Sequence, residues 1–400
     1  MKILTMILAG GTDTGLSVLT RHRAKTALPF GGRYRIIDFC LSNCVHSGLH
    51  EIYVLAQFNP KSLIEHIRMG KPWDLDRKSG GVFILQPRHY GQEASWYLGT
   101  ADALYQNLDV IRRSEAEHVL VLSGDQVYRA DYGDMVAFHL AHGKPVTIAC
   151  KKVPPSQQSR FGMVRCLRDG AVREFREKPR RSRFDRASLG IYLFRRRFLV
   201  DALSKPRRDI VFDLLMPLID DGKVFGFSFD GYWDDLGTVM SYYAASMRLI
   251  RSRSLIARRD WPVFTRADDL PPSMFLEGSR VERSIVADGC RIGGTVSGSI
   301  LFPGVVVERG AVVEDSIIFS HAEVGADTRI ERAVIDKQVV IGSKAAIGAS
   351  RDTPVGIERH ADMDPGLDTG GITVIGKLAR IADGLTVPRG FAIEPGAILA

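Results

Sequence analysis

Two aspartates, two lysines and one glycine-containing loop have the residue types and spacing for chemistry. The apolar run Ile3 to Leu8 stops at Gly10-Gly11, and Lys25 follows a polar loop. A buried strand that breaks into glycines brings backbone N–H groups up to a phosphate, and a lysine adds a mobile positive charge for the same anion. Asp13 stands in that loop, where its carboxylate would repel a phosphate unless it turns outward or binds a cation. Leu122-Ser123-Gly124-Asp125 sets a carboxylate straight after another apolar run, and Tyr232-Trp233-Asp234-Asp235-Leu236-Gly237-Thr238 sets a second before a glycine turn. Two distant carboxylates meeting at one ion beside phosphates is ordinary magnesium chemistry. Taken singly, each aspartate reads more readily as a helix cap. In Phe175-Arg176-Glu177-Lys178-Pro179, Lys178 is suited to a sugar phosphate and Glu177 to a sugar hydroxyl. The plainer alternative is a surface ion pair contributing less than about 1 kcal/mol. Gly99-Thr100-Ala101-Asp102-Ala103 reads as a loop entering a helix, with its backbone beside a base or a ribose.

These residues need a scaffold, and the chain supplies two kinds. Residues 1 to about 245 alternate β-branched runs (Glu51 to Ala56, Val82 to Leu85, His118 to Leu122, Val146 to Cys150, Ile191 to Phe194) with amphipathic segments. That grammar predicts an α/β domain with a mainly parallel sheet, whose ligands sit beyond the carboxyl ends of the strands. Gly10-Gly11 and Gly124-Asp125 then face one crevice. Residues 246–280, with Trp261-Pro262 and Leu270-Pro271-Pro272, read as a linker that begins as a helix. From 281 to 400 apolar residues recur every six positions: Leu301, Val307, Val313; Ile318, Val324, Ile330; Ile335, Ile341, Ile347; then Ile375, Ile381, Val387, Ile393 and Leu399. A six-residue period predicts a three-sided parallel β-helix, in which stacking buries what one turn cannot. Residues 350–371 read as a loop, and how the second array packs on the first is open. Some hexapeptide solenoids are acyltransferases, but His321 is the one histidine in a promising position, so the array reads as a packing or oligomer-forming element.

The bulk numbers narrow the classes. Apolar content is 45% and charged content 25%, values of a globular chain, and no apolar run approaches the roughly 20 residues of a membrane span. The five cysteines have no zinc-like grouping, and Met1-Lys2-Ile3 enters a strand directly, so a reduced, cytoplasmic protein without a secretory leader is expected. The net charge of +8 is dominated by arginine. The basic clusters lack the interleaved aromatics or reading helix of a nucleic-acid site, so phosphorylated small molecules are the expected anions.

In combination and order, the motifs resemble the ADP-glucose pyrophosphorylase (glucose-1-phosphate adenylyltransferase) family of bacterial type. The resemblance spans nearly the whole chain: Leu8-Ala9-Gly10-Gly11, Arg23-Ala24-Lys25, Phe30-Gly31-Gly32-Arg33-Tyr34-Arg35-Ile36-Ile37-Asp38-Phe39, Leu41-Ser42-Asn43-Cys44, Gly99-Thr100-Ala101-Asp102-Ala103, Ser123-Gly124-Asp125, Phe161-Gly162, Glu177-Lys178-Pro179, Ser188-Leu189-Gly190-Ile191-Tyr192 and Tyr232 to Thr238. It implies a Rossmann-like nucleotidyltransferase domain joined to a left-handed parallel β-helix, usually in a tetramer, homomeric or mixed. It further implies transfer of AMP from ATP to glucose-1-phosphate, with release of pyrophosphate, in glycogen synthesis. The matching positions are Asp125 and Asp235 as Mg2+ ligands and Lys25 beside the triphosphate. Leu8, Gly10, Gly11, Gln57, Gly99 and Thr100 fall at the nucleotide, and Gly162, Glu177, Lys178 and Ser188 at the sugar phosphate. Arg33 and Arg35 correspond to positions near an anionic effector.

The loop departs from the family's pattern. Where a glycine and a triphosphate-clamping arginine are common, this chain has Asp13 and Gly15; Leu98, Gln126 and Thr26 also differ from the usual arginine, histidine and proline. The resemblance therefore admits a working enzyme whose missing cation is replaced by Arg21, Arg23 or another cation. It also admits a regulatory subunit that modulates an active partner, and a pyrophosphorylase for another nucleotide or sugar phosphate.

Overall fold

In a computed structural model, the described residues are 2–11, 14–87, 96–252, 255–349, 363–364 and 369–400. Asp13 lies outside them. Nine strands form the first sheet: β1 (Ile3–Ala9), β2 (Glu51–Ala56), β3 (Gly81–Leu85), β4 (His118–Ser123), β5 (Val146–Lys152), β6 (Met163–Cys166), β7 (Val172–Arg176), β8 (Arg186–Arg195) and β9 (Val224–Ser228). Their order is β7-β6-β8-β4-β1-β2-β3, with β5 joined to β8 and β9. β1 pairs in parallel with β2 and β4, β2 with β3, and β5 with β9, whereas β8 runs antiparallel to β4, β5 and β6. Only β7 and β8 oppose the common direction, as the mainly parallel reading requires.

Parallel strands are covered on both faces, which is why Ile3 to Leu8 is almost unbroken apolar sequence. Leu8 lies level with Ser123 on one side and Leu55 on the other. Gly10, Gln57 and Asp125 therefore leave the sheet at one edge.

The second domain is a three-sided parallel β-helix of seven-, six- and seven-stranded sheets. All fourteen hexad residues named above are buried in its core. The two arrays stack directly: Ile335 pairs with Ile375, Ile341 with Ile381 and Ile347 with Val387; most of residues 350–371, expected as a loop, lie outside the described residues.

Three helices matter for the site: α1 (Ile36–His46), α2 (Thr100–Gln106) and α3 (Val239–Arg251). α3 starts at Thr238, whose hydroxyl accepts from the Ser241 backbone N–H while the Ser241 hydroxyl accepts from the Thr238 backbone N–H. Its Tyr242 hydroxyl donates to Pro29 O (2.6 Å), and Tyr243 donates to Asp315 O of the β-helix (2.5 Å). Around α3, Leu16, Val18, Leu19, Phe30 and Phe39 share one apolar cluster with Ile300, Phe319, Val334 and Val374. The end of the glycine loop is thus packed beneath the β-helix. The extended chain after α3 returns to α1, where Trp261 Nε1 donates to Asn43 Oδ1 (3.1 Å) and the Phe264 N–H to Ser42 Oγ (2.9 Å).

Candidate active site

The crevice has three parts. The first is a cleft of about 300 Å3 lined by Leu8, Gly10, Gly11, Gln57, Gly99 and Thr100, with Leu55, Phe58, Tyr97, Leu98 and Ala103 completing it. Gln57 ties its walls together, donating from Nε2 to Gly10 O (2.8 Å) and accepting from the Tyr97 N–H at Oε1 (2.7 Å). Gly99 is required by space: a Cβ there would meet Arg208 O at 2.2 Å. Arg208 O accepts from the Ala101 N–H (3.0 Å) at the start of α2, and Thr100 Oγ1 accepts from the Ile210 N–H (2.9 Å).

The second part is acidic. Gln126–Tyr128 and Trp233–Asp235 form a small antiparallel pair in which Asp235 stands opposite Gln126, the neighbour of Asp125. Opposed residues in such a pair have Cβ atoms about 5 Å apart, so this register carries the two carboxylates into one place. Gln126 itself accepts from Trp233 Nε1 (2.9 Å), a structural task for that position. Lys25 Nζ donates to Asp125 Oδ2 (2.8 Å), and Ser123 Oγ donates to Asp125 Oδ1 (2.5 Å). Burial pushes the Asp125 carboxyl up, but Lys25 and the Ser123 hydroxyl outweigh it and hold the group below its ordinary value. Asp235 goes the other way: burial and the Asp125 charge outweigh Lys25 and Arg160, and its carboxyl is raised. Two hard, mutually repelling carboxylates beside a lysine are a donor set that suits a divalent cation completing its shell with substrate oxygens. Among the described residues no third carboxylate, histidine or cysteine joins them.

Arg160 was not singled out in the sequence. Its Nη2 donates to Asp235 Oδ2 at 2.8 Å, and its guanidinium lies 5.3 Å from the Phe161 ring centre. Its position directly before Phe161-Gly162 was the one available signal.

The third part is built by the β6–β7 hairpin and β8. Ser188 N–H donates to Gly162 O (2.8 Å), and Lys178 N–H donates to Phe161 O (3.2 Å). A Cβ on Gly162 would lie 2.8 Å from Glu177 Oε2, so Gly162, Glu177 and Ser188 meet. Lys178 has φ of 42°, a left-handed conformation that costs a non-glycine residue about 1 kcal/mol or more. Burial raises the Glu177 carboxyl, Lys178 lowers it and Asp209 raises it, with a net upward shift.

Arg21 and Arg23 do not fill the place left by Gly15. Arg21 pairs with Glu394 (3.2 Å), and Arg23 is buried against Asp336 (2.7 Å), both carboxylates of the β-helix. Arg33 and Arg35 line a separate cavity of about 250 Å3 between the domains, with Arg266, Asp268, Asp288 and Lys337. Arg35 Nη1 donates to Ser62 O (2.6 Å). Burial, then Arg35 and Arg23, push the Lys337 ammonium down to about 7. No helix among the described residues is long and apolar enough to cross a membrane.

Comparison with known proteins agrees with this architecture. Residues 4–252 match the nucleotidyl transferase family, and residues 271–364 match the GlmU-like C-terminal hexapeptide family, in keeping with a left-handed β-helix. A glucose-1-phosphate adenylyltransferase of Pseudothermotoga lettingae is 40% identical over 99% of this chain and 94% of its own. That of Thermomicrobium roseum is 45% identical over 98% and 93%, and that of Bacillus cereus (strain Q1) is 42% identical over 85% and 93%. With nearly full-length identity at this level and both domains matched, the chain belongs to the glucose-1-phosphate adenylyltransferase family of nucleotidyl transferases.

Proposed function

We propose that the protein transfers AMP from ATP to glucose-1-phosphate, giving ADP-glucose and pyrophosphate. A phosphate oxygen of glucose-1-phosphate attacks the α-phosphorus; the bond from that phosphorus to the bridging oxygen breaks, and pyrophosphate leaves with its electrons. Positioning and charge neutralisation dominate such a transfer. The observation that carries the reading is the convergence of Asp125, Asp235 and Lys25 at the strand edge of the crevice.

In this reading Leu8, Gly10, Gly11, Gln57, Gly99 and Thr100 hold the nucleotide. Lys25 neutralises the triphosphate, and Lys178 grips the sugar's phosphate while Gly162, Glu177 and Ser188 shape the glucose pocket. Asp125 and Asp235 would hold Mg2+, which when bound supplies charge neutralisation of the phosphate oxygens. Arg160, paired with Asp235, would exchange that carboxylate for a substrate phosphate. Arg33 and Arg35 are assigned to an anionic effector in the interdomain cavity, and the β-helix to assembly of a homomeric or mixed tetramer in the cytoplasm.

The test is pyrophosphate release from purified protein with Mg2+, ATP and glucose-1-phosphate, set against other nucleoside triphosphates and sugar phosphates. Release that is fastest with this substrate pair supports the reading. Silence alone, with altered kinetics of an authentic catalytic subunit on mixing, would assign a regulatory role. Preference for another pair would replace the substrates.

A further inference from the structure

Two cysteines outside the crevice are brought together by strands distant in sequence. Cys150 lies near the end of β5, level with Ser188 of β8, and Cys166 ends β6. Both sulfurs lie against Gly226 of β9: a Cβ there would meet Cys166 Sγ at 2.5 Å and Cys150 Sγ at 3.5 Å. Gly226 does not have positive φ, so its glycine serves space rather than turn geometry, and the space it leaves is where the two thiols meet. A side chain in mid-strand would part them.

The two sulfurs differ in access and in charge environment. Cys150 is fully buried, whereas Cys166 is half-buried and opens onto a groove of about 420 Å3 whose charged lining is Arg165, Arg176, Arg183 and Arg186 with Glu174 and Asp185. The thiol of Cys166 is held below its ordinary value by Cys150 and Arg186, against burial and Asp185; that of Cys150 is pushed up by Cys166 and burial. An accessible, thiolate-prone sulfur beside a buried thiol is the arrangement of a peroxide-reactive cysteine with a resolving partner. Cys40 and Cys44 are also neighbours, on α1, but both are fully buried, with neither sulfur open to a groove.

We propose that Cys166 and Cys150 form a redox modification site, in which hydrogen peroxide oxidises Cys166 and Cys150 resolves it as an intramolecular disulfide. The Cys166 thiolate attacks one peroxide oxygen; an S–O bond forms, the O–O bond breaks, and hydroxide leaves and takes a proton. Cys150 Sγ then attacks Cys166 Sγ, forming S–S and breaking S–O, and its proton leaves with the hydroxyl as water. The two sulfurs together lose two electrons, and the peroxide is reduced to two waters. The link fastens the β6–β7 hairpin, whose base carries Gly162 and Lys178, to β5.

The experiment treats the full-length protein with peroxide, alkylates the remaining thiols and maps peptides by mass, a readout independent of any transferase activity. The expected result is a loss of two hydrogen atoms and a peptide joining Cys150 to Cys166, reversed by dithiothreitol, with Cys40, Cys44 and Cys290 alkylated only after denaturation. Cys150→Ser is expected to stop at a sulfenic acid on Cys166, captured by dimedone, and Gly226→Ala to lose the linked peptide while keeping both thiols. Absence of the linked peptide in the folded wild-type protein, or dimedone on another cysteine in Cys150→Ser, would overturn the proposal.

Discussion

Replacing Asp336 by asparagine tests how far the β-helix holds the segment that carries Lys25. Arg23 Nη2 donates to both oxygens of Asp336, at 2.7 and 2.8 Å, and the side chains are only 6% and 1% exposed. Arg23 Nη1 is also buried, with no hydrogen-bond partner. Asparagine keeps the shape but removes the charge, leaving a guanidinium in the interface between domains with no compensating anion. Removing one member of such a pair costs about 3–5 kcal/mol, and one surviving amide acceptor places the expected loss at about 3 kcal/mol. Equilibrium urea denaturation followed by circular dichroism measures it. Arg23→Met combined with Asp336→Leu is expected to recover most of the loss, because no buried charge remains. Lys25 lies two residues beyond Arg23, so pyrophosphate release is expected to fall with Asp336→Asn even where the protein is fully folded. A change in stability below about 0.5 kcal/mol, or a double variant no better than the single one, would refute the reasoning.

Other perturbations follow from the same geometry. Gly15→Arg adds a guanidinium to the loop, and one charge-assisted bond of about 1.5–3 kcal/mol corresponds to a roughly 10–100-fold rise in kcat/KM for ATP; an unchanged value would mean loop charge is not limiting. Gly99→Ala forces a Cβ against Arg208 O, so a loss of about 1–3 kcal/mol in urea and a raised KM for ATP are expected, and wild-type values for both would contradict the packing described. His139 is held down to about 3, by burial first and then by the neighbouring His118 and His142 charges. Its folded value lies below its unfolded one, so its contribution is complete above about pH 6.5 and is lost as pH falls toward 3, by about 1.4 kcal/mol per pH unit. Urea midpoints at pH 7.5 and 5.5 measure this, and His139→Gln is expected to reduce the difference, the part that stays coming from His66, His118 and His142, whose imidazoles burial also lowers; an equal fall in the variant would remove His139 as a source.

What was legible in the sequence follows from what repeats. The six-residue apolar period survives folding unchanged, because each hexad residue occupies the same place in successive turns. The stacking of the second array was hidden, since the sequence between Ile347 and Ile375 lacks the six-residue period and so breaks the count that would set its register. In the first domain, the apolar run into Gly10-Gly11 gave the strand edge, because a doubly covered parallel strand must be apolar throughout. The meeting of Asp125 with Asp235 depends on a pairing of Gln126–Tyr128 with Trp233–Asp235, more than a hundred residues apart, which no local pattern encodes. For the same reason Arg21 and Arg23 were misplaced: their partners Glu394 and Asp336 belong to the other domain. Arg160 escaped notice because an arginine in an arginine-rich chain carries no signal until a carboxylate is placed beside it.

Pyrophosphate release by Asp125→Asn and Asp235→Asn, each checked for native circular dichroism, bears most directly on the central claim. The account predicts that each variant loses at least about 100-fold in kcat, since each removes a charge from the place where the α-phosphorus reacts. A rate near that of the wild-type protein in either folded variant would contradict it.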